Sequence, residues 1–210
     1  GLGFFPEGIV DQHFHARARI GRLVVALMNS RDKFPLAFGV DENTVLIYSA
    51  ADRQIRVEGR GGVTIVDASG ARMTYSGNLP DVRNLSVSYL EQGDSFSIAS
   101  GELVPAEGKK PTRGNEYYNR ENPAQGGILT PNGTTFVDLI TINLIDNKAA
   151  ETISNISFAD HNTGFIITFT KKPESQGYYA ESKDEEDLYS VSNIRMDLTP
   201  VKITIEKFQE

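Results

Sequence analysis

The 210-residue chain contains no cysteine. That excludes a disulfide framework, a thiolate nucleophile and any cysteine-ligated metal site, while leaving the compartment open. No apolar run approaches the roughly 18 residues that a membrane span requires. Residues 1 to 10 carry neither the basic n-region nor the small-residue cleavage site of a signal peptide. Positive charge is also short: Lys and Arg number 21 against 28 Asp and Glu, for a net charge of -7 and a pI near 5.1. A nucleic-acid partner needs a basic face to neutralise phosphates, so this balance argues against one. An acidic surface tolerates cationic substrates well.

What is present is ordinary globular composition, 39% hydrophobic and 23% charged, enough to bury a real core in one or two domains. The chain opens in a strand-like pattern, Leu2, Phe4, Phe5, Ile9 and Val10, with no start methionine, and the expectation is that an upstream segment has been removed. Between residues 14 and 31, Ile20, Leu23, Val24, Leu27 and Met28 recur at the i, i+3, i+4, i+7, i+8 spacing of one buried helix face. Strand-like stretches follow at Thr44 to Tyr48, Ile55 to Val57, Val63 to Val66, Arg72 to Tyr75 and Ser86 to Leu90, where Val87 and Tyr89 share a face. Gly59, Gly61, Gly62, Asp67 and Gly70 punctuate them as hairpins and turns.

From residue 105 to residue 133 the composition shifts to Pro, Gly, Asn, Lys and Glu, which reads as a linker or long excursion. Strands are expected again at Thr134 to Ile145, Ile153 to Phe158, Gly164 to Thr170 and Pro200 to Lys207, the last on the alternation of Val201, Ile203 and Ile205. Residues 134 to 210 therefore form a β-rich module, appended to the first unit (residues 1 to 104) or with its strands inserted in the main sheet. The acidic run at 181 to 187 reads as a solvated loop, with a patch for a basic partner or cation as the alternative. Asp160-His161-Asn162 reads as a turn rather than a metal site. Neither a metal nor a cofactor is expected.

The first residue with a chemical reading is His13, placed after Asp11 and Gln12 where an apolar run meets a helix. Open α/β sheets hold ligands at such junctions. A histidine acting as general base needs a nucleophile to deprotonate and a third group to orient its ring. The orienting acid is expected in Asp41-Glu42-Asn43, with Glu42 the choice and Asp41 the reserve, although both also suit turn or cap positions. Arg17, Arg19 and Arg22 follow His13, and their spacing cannot put all three on one helix face. They read either as a hydrated basic surface or as a bidentate clamp for a carboxylate.

At these residues the chain resembles a known family. Residues 1 to 23, with Asp11-Gln12-His13-Phe14 and the Arg-x-Arg-x-x-Arg spacing after it, and then Ala37 to Tyr48, look like the cyanophycinase family of serine peptidases. The likeness extends through Val57 to Asp67 and Leu85 to Phe96, covering about residues 1 to 98. It implies the C-terminal part of a class I glutamine-amidotransferase-like (flavodoxin-like) α/β sheet with β-hairpins, followed by a β-rich region. It also implies hydrolysis of β-aspartyl-arginine polymer or related isoaspartyl peptides by a Ser, His and Glu triad. Carried onto this chain, His13 matches the catalytic histidine and Glu42 the triad acid. Asp11, Gln12, Arg17, Arg19 and Arg22 match positions of the substrate pocket.

The departure from that family is the nucleophile. Its serine lies upstream in a Gly-Thr-Ser-Ala-Gly elbow, and no G-x-S-x-G pattern occurs in these 210 residues; Ser49, Ser86 and Ser95 lack the elbow context. This chain alone is therefore expected to lack hydrolytic activity, with the serine supplied by an upstream segment or by a partner chain carrying the N-terminal half. Two other readings remain, a non-catalytic β-rich interaction protein derived from such a hydrolase, and an aspartyl dipeptidase. A homodimer is compatible with the sequence, which fixes neither compartment nor oligomeric state.

Overall fold

The computed structural model describes residues 5–121, 135–182, 187–204 and 206. The first strand, β1 (Ile9–Gln12), leads through a series of turns into α1 (Ile20–Met28) and then β2 (Leu36–Val40). This strand–helix–strand unit gives a parallel β1–β2 pair; the other strand pairs described are antiparallel. α1 forms on the expected periodicity, with Leu23, Val24, Leu27 and Met28 all buried. Arg19 is its N-cap residue, so Arg17 precedes the regular helix.

The next seven strands are β3 (Thr44–Ser49), β4 (Gln54–Gly59), β5 (Val63–Asp67), β6 (Arg72–Ser76), β7 (Leu79–Leu90), β8 (Ser95–Ser97) and β9 (Glu102–Val104). After β10 (Lys110–Pro111) come α2 (Phe136–Ile140) and a π-helical turn, Thr141–Ile145. The chain then returns to strands as β11 (Thr152–Phe158), β12 (Thr163–Thr170), β13 (Gln176–Ala180) and β14 (Leu188–Lys202). A ten-stranded sheet has the path β1-β2-β5-β7-β14-β12-β11, with β6, β10 and β13 branching from it, and β3-β4-β8-β9 form a second sheet.

Side-chain alternation explains why the large sheet is covered on both sides. Along β2 and β5, Ala37 and Val66 face one core cluster with α1 and the π-helical turn, whereas Phe38, Val40, Val63 and Ile65 face another with Ile55, Val57, Phe96 and Leu103 of the small sheet. Strands buried on both faces read as continuous apolar runs, as Ala37 to Val40 and Val63 to Val66 do. β7 follows the same rule, with Leu85, Val87 and Tyr89 toward the helices and Leu90 toward the small sheet.

The expected strand at Thr134 to Ile145 is helical from Phe136 to Ile145, and Thr134 lies outside the described residues. Its β-branched content suggested a strand, but Thr135 and Asp138 form a reciprocal capping box, the Asp138 N–H donating to Thr135 Oγ1 at 3.1 Å and the Thr135 N–H to Asp138 Oδ2 at 2.9 Å. Leu139, Ile140, Leu144 and Ile145 are then buried on one side. The expected strand at Pro200 to Lys207 is also corrected. It is the tail of the longer β14, which ends at Lys202 where its neighbour β12 runs out at Thr163; residues 205 and 207 to 210 lie outside the described residues. Alternation alone cannot reveal where a partner strand ends. β14 pairs with β7, so the strands of the 134 to 210 region join the main sheet. Asp160 Oδ1 accepts from the N–H groups of Asn162 and Thr163, forming the expected turn between β11 and β12.

Within the expected linker, residues 122 to 133 lie outside the described residues, but its start is fixed firmly to the sheets. Asp94, fully buried, accepts from the N–H of Ala106 at 2.8 Å, the N–H of Glu91 at 2.8 Å, Lys109 Nζ at 2.9 Å and Ser190 Oγ at 2.6 Å. The Lys109 side chain is only 1% exposed, so Asp94 is the counter-charge that makes its burial tolerable. Asp94→Ala should cost about 3–5 kcal/mol, because it leaves a buried ammonium without its anion. Urea denaturation checks this, and a loss below about 1 kcal/mol would show that the network is replaceable by water.

Candidate functional site at the carboxyl edge of the parallel strands

The β1–β2 register pairs Gln12 with Val40, so the chain leaves both strands at the same edge. Immediately beyond, the Phe14 N–H donates to the Val40 carbonyl at 3.2 Å, and the Phe14 ring, 2% exposed, packs over Gly39. A Cβ at position 39 would collide with that ring, which is the close approach that requires glycine there. With Phe14 turned inward, His13 is held outward at φ 52°, a left-handed conformation uncommon for a side-chain-bearing residue.

On the other strand, Asp41 and Glu42 follow Val40, and Asn43 turns the chain at φ 54°. His13 Nδ1 lies 3.1 Å from Glu42 Oε1, with the two side chains 54% and 37% exposed. Residues 29 apart in sequence are thereby paired. With Nδ1 donating to the carboxylate, Nε2 on the far side of the ring is the nitrogen available to accept a proton.

The remaining expected site residues divide by what they touch. Arg19 Nη1 donates to Asp11 Oδ1 at 2.9 Å and to the Gln12 carbonyl at 2.7 Å, and Arg22 Nη2 donates to the same Asp11 oxygen. Asp11 is thus shared by two guanidinium groups and holds the helix start against the end of β1. Arg22 is 62% exposed, and Arg17 and Gln12 are exposed at the same edge. The reserve acid, Asp41, is buried and does not reach His13; its Oδ1 accepts from the His15 N–H at 2.9 Å.

A cleft of about 1180 Å³ opens beside the pair, walled by Asp41, Glu42, Tyr89, Glu91, Tyr118 and Tyr189 among others. Glu91 was not singled out by sequence, because an acid at the end of an alternating strand looks solvent-facing. Its carboxylate accepts from the Tyr189 N–H at 2.6 Å, and burial pushes its pKa up to about 7, partly opposed by the charge of Lys109. Burial likewise raises Asp41, against the pull of its backbone N–H donors. His15 also lines the cleft, with Nε2 buried and lacking a hydrogen-bond partner. Among the described residues no group of three or more His, Cys, Asp or Glu side chains is arranged to hold a metal ion, and no helix is long and apolar enough to cross a membrane.

Sheet, helix and edge together define a mixed α/β protein with a histidine–carboxylate pair at the carboxyl end of parallel strands. No protein-family model matches the chain. The cyanophycinase of Trichormus variabilis is 40% identical over 111 residues, covering 50% of this chain and 36% of that protein. That of Synechococcus elongatus is 37% identical over 108 residues, 49% of this chain and 33% of that protein, and that of Geminocystis herdmanii 40% identical over 102 residues, 46% and 36%. Over about half of its length the chain is similar to cyanophycinases, and the matched part spans about a third of the length of these curated relatives.

The raised pKa of Glu91 has a measurable consequence for stability. Between pH 4.5, its ordinary value, and about 7, the folded chain retains a proton that the unfolded chain has released, so stability falls as pH rises through this window. Glu91→Gln should remove that contribution, on the order of a few kcal/mol at most, and make the chain more stable than the parent above pH 7. Urea midpoints from pH 5 to 8 read this directly; parallel curves for the two proteins would contradict it.

Proposed function

We propose that this chain is the His- and Glu-bearing portion of a cyanophycinase-like serine peptidase that hydrolyses β-aspartyl-arginine peptides. The observation that carries the reading is the 3.1 Å contact between His13 Nδ1 and Glu42 Oε1 at the carboxyl edge of β1 and β2. A serine from an upstream segment or a partner chain attacks the scissile carbonyl, and His13 Nε2 takes its proton and returns it to the leaving amine. Glu42 holds the ring with Nδ1 protonated and stabilises the cation formed when Nε2 takes the proton. Arg17 and Arg22 offer exposed guanidinium groups to a substrate carboxylate, while Asp11 and Arg19 brace the strand end and Gln12 presents a neutral amide.

Three further observations support an external nucleophile. No G-x-S-x-G elbow occurs in the 210 residues, and the matched part covers 36% or less of the relatives' length. Among the described residues the outer edge of β1 has no pairing strand, and Val10 on it is 42% exposed. An unpaired edge beside the acid–base pair is where serine-bearing strands would continue the sheet.

In the complete assembly, His13→Ala should lower turnover of β-aspartyl-arginine polymer by about 10³-fold or more, since a member of a triad acting as a unit is lost. Unchanged turnover would sink the mechanism. Assaying polymer and short aspartyl dipeptides side by side fixes the substrate branch, and preferential dipeptide cleavage would replace the polymer reading.

A further inference from the structure

Asp41 is a buried carboxylate beside the pair, and its hydrogen bonds are to backbone groups. Oδ1 accepts from the His15 N–H at 2.9 Å and Oδ2 from the Gly62 N–H at 3.2 Å, while the Asp41 N–H donates to the Gly62 carbonyl at 3.1 Å. Those partners belong to different segments. His15 is in the turn that carries His13, Gly62 is in the turn before β5, and Asp41 itself begins the turn that carries Glu42. One carboxylate therefore joins three turns that are distant in sequence.

The surroundings leave little slack in this junction. A Cβ on Gly61 would lie 2.8 Å from Asp41 Cβ and 2.7 Å from Thr44 Oγ1, so the 59–62 turn sits directly against the 41–44 turn. Thr44 Oγ1 donates to the Glu42 carbonyl at 3.0 Å and accepts from the Gly61 N–H at 3.1 Å. The Arg60 N–H donates to the Asn43 carbonyl at 3.0 Å. Glu42 is thus fixed from below, and besides the His13–Glu42 contact itself, Asp41 and the Phe14 N–H link this platform to the strained turn at His13.

We infer that Asp41 is a positioning residue that sets the separation and orientation of His13 and Glu42 by clamping their two turns through the His15 and Gly62 amides. This rests on the reading of His13 and Glu42 as the acid–base half of a peptidase site. Both Asp41 oxygens are engaged by the His15 and Gly62 amides and neither is hydrogen-bonded to the His13 ring, so Asp41 acts through the pair. Without the carboxylate, the His15 N–H loses its acceptor and the 13–15 turn is free to relax from its left-handed geometry. A displacement of about 1 Å at a reacting group can cost on the order of 10²-fold in rate.

The test compares Asp41→Ala and Asp41→Asn in the complete assembly and in the isolated chain. Asp41→Ala should lower kcat by about 10²-fold with little change in KM, and Asp41→Asn, which keeps one acceptor, should recover part of that loss. Independently of activity, the ¹⁵N shifts of His13 should move from the Nδ1–H tautomer toward a mixture in Asp41→Ala and less so in Asp41→Asn. Circular dichroism confirms which variants fold, and the milder Asn substitution keeps the comparison available if Ala does not. A folded Asp41→Ala with parental kcat and parental His13 shifts overturns the clamp. If instead His13→Ala leaves turnover intact, the peptidase reading fails, and the His13 shifts in the Asp41 variants still decide the clamp.

Discussion

The parallel register of β1 and β2 is the constraint on which the candidate site depends. Because Gln12 lies opposite Val40, the residues that follow each strand emerge side by side, and a histidine and a glutamate 29 positions apart meet at 3.1 Å. A slip of one residue would turn every side chain of β1 to the opposite face and carry His13 away from Glu42. The register is held by contacts outside the His13–Glu42 pair. Phe14 closes over Gly39, α1 buries Leu23, Val24, Leu27 and Met28 against the sheet, and Asp11 ties the start of α1 to the end of β1 through two arginines.

The remainder of the fold stiffens this edge from a distance. β14 runs alongside β7, β12 and β13, so it carries the late strands into the sheet that begins with β1. The buried Asp94, Lys109 and Ser190 group locks the segment after β9 to that same strand. The consequence for the site is a wall: Tyr189 from β14, Tyr89 from β7 and Glu91 line the same cleft as Asp41 and Glu42. Acidic side chains outnumber the basic Arg60 and His15 in its lining, which favours cationic groups over anionic ones.

Much of this was legible in the sequence where local period and burial agree. The apolar spacing from Ile20 to Met28 gave the helix, and alternation or continuous apolar runs gave β3 to β6, β11 and β12. Residues 134 to 145 misled because β-branched side chains outweighed a capping box that only becomes visible once Thr135 and Asp138 are seen bonding reciprocally. The pairing order was not legible at all: nothing local to β14 says that it joins β7. At the site, His13, Glu42 and the arginines were readable as residue types at suggestive spacings. The sharing of Asp11 by two arginines, the burial of Glu91 and the backbone contacts of Asp41 arise from tertiary packing and leave no sequence signal.

On the proposed reading, His13 and Glu42 work as one acid–base unit completed by a serine outside these residues. A double-mutant cycle in the complete assembly, with His13→Ala, Glu42→Gln and both together, measures that directly through kcat/KM on β-aspartyl-arginine peptides. The double variant should be no slower than His13→Ala alone, because an orienting carboxylate has nothing to orient once the ring is gone. Losses that simply add would mean that the two residues act independently, and the pair would not be the acid–base half of a triad.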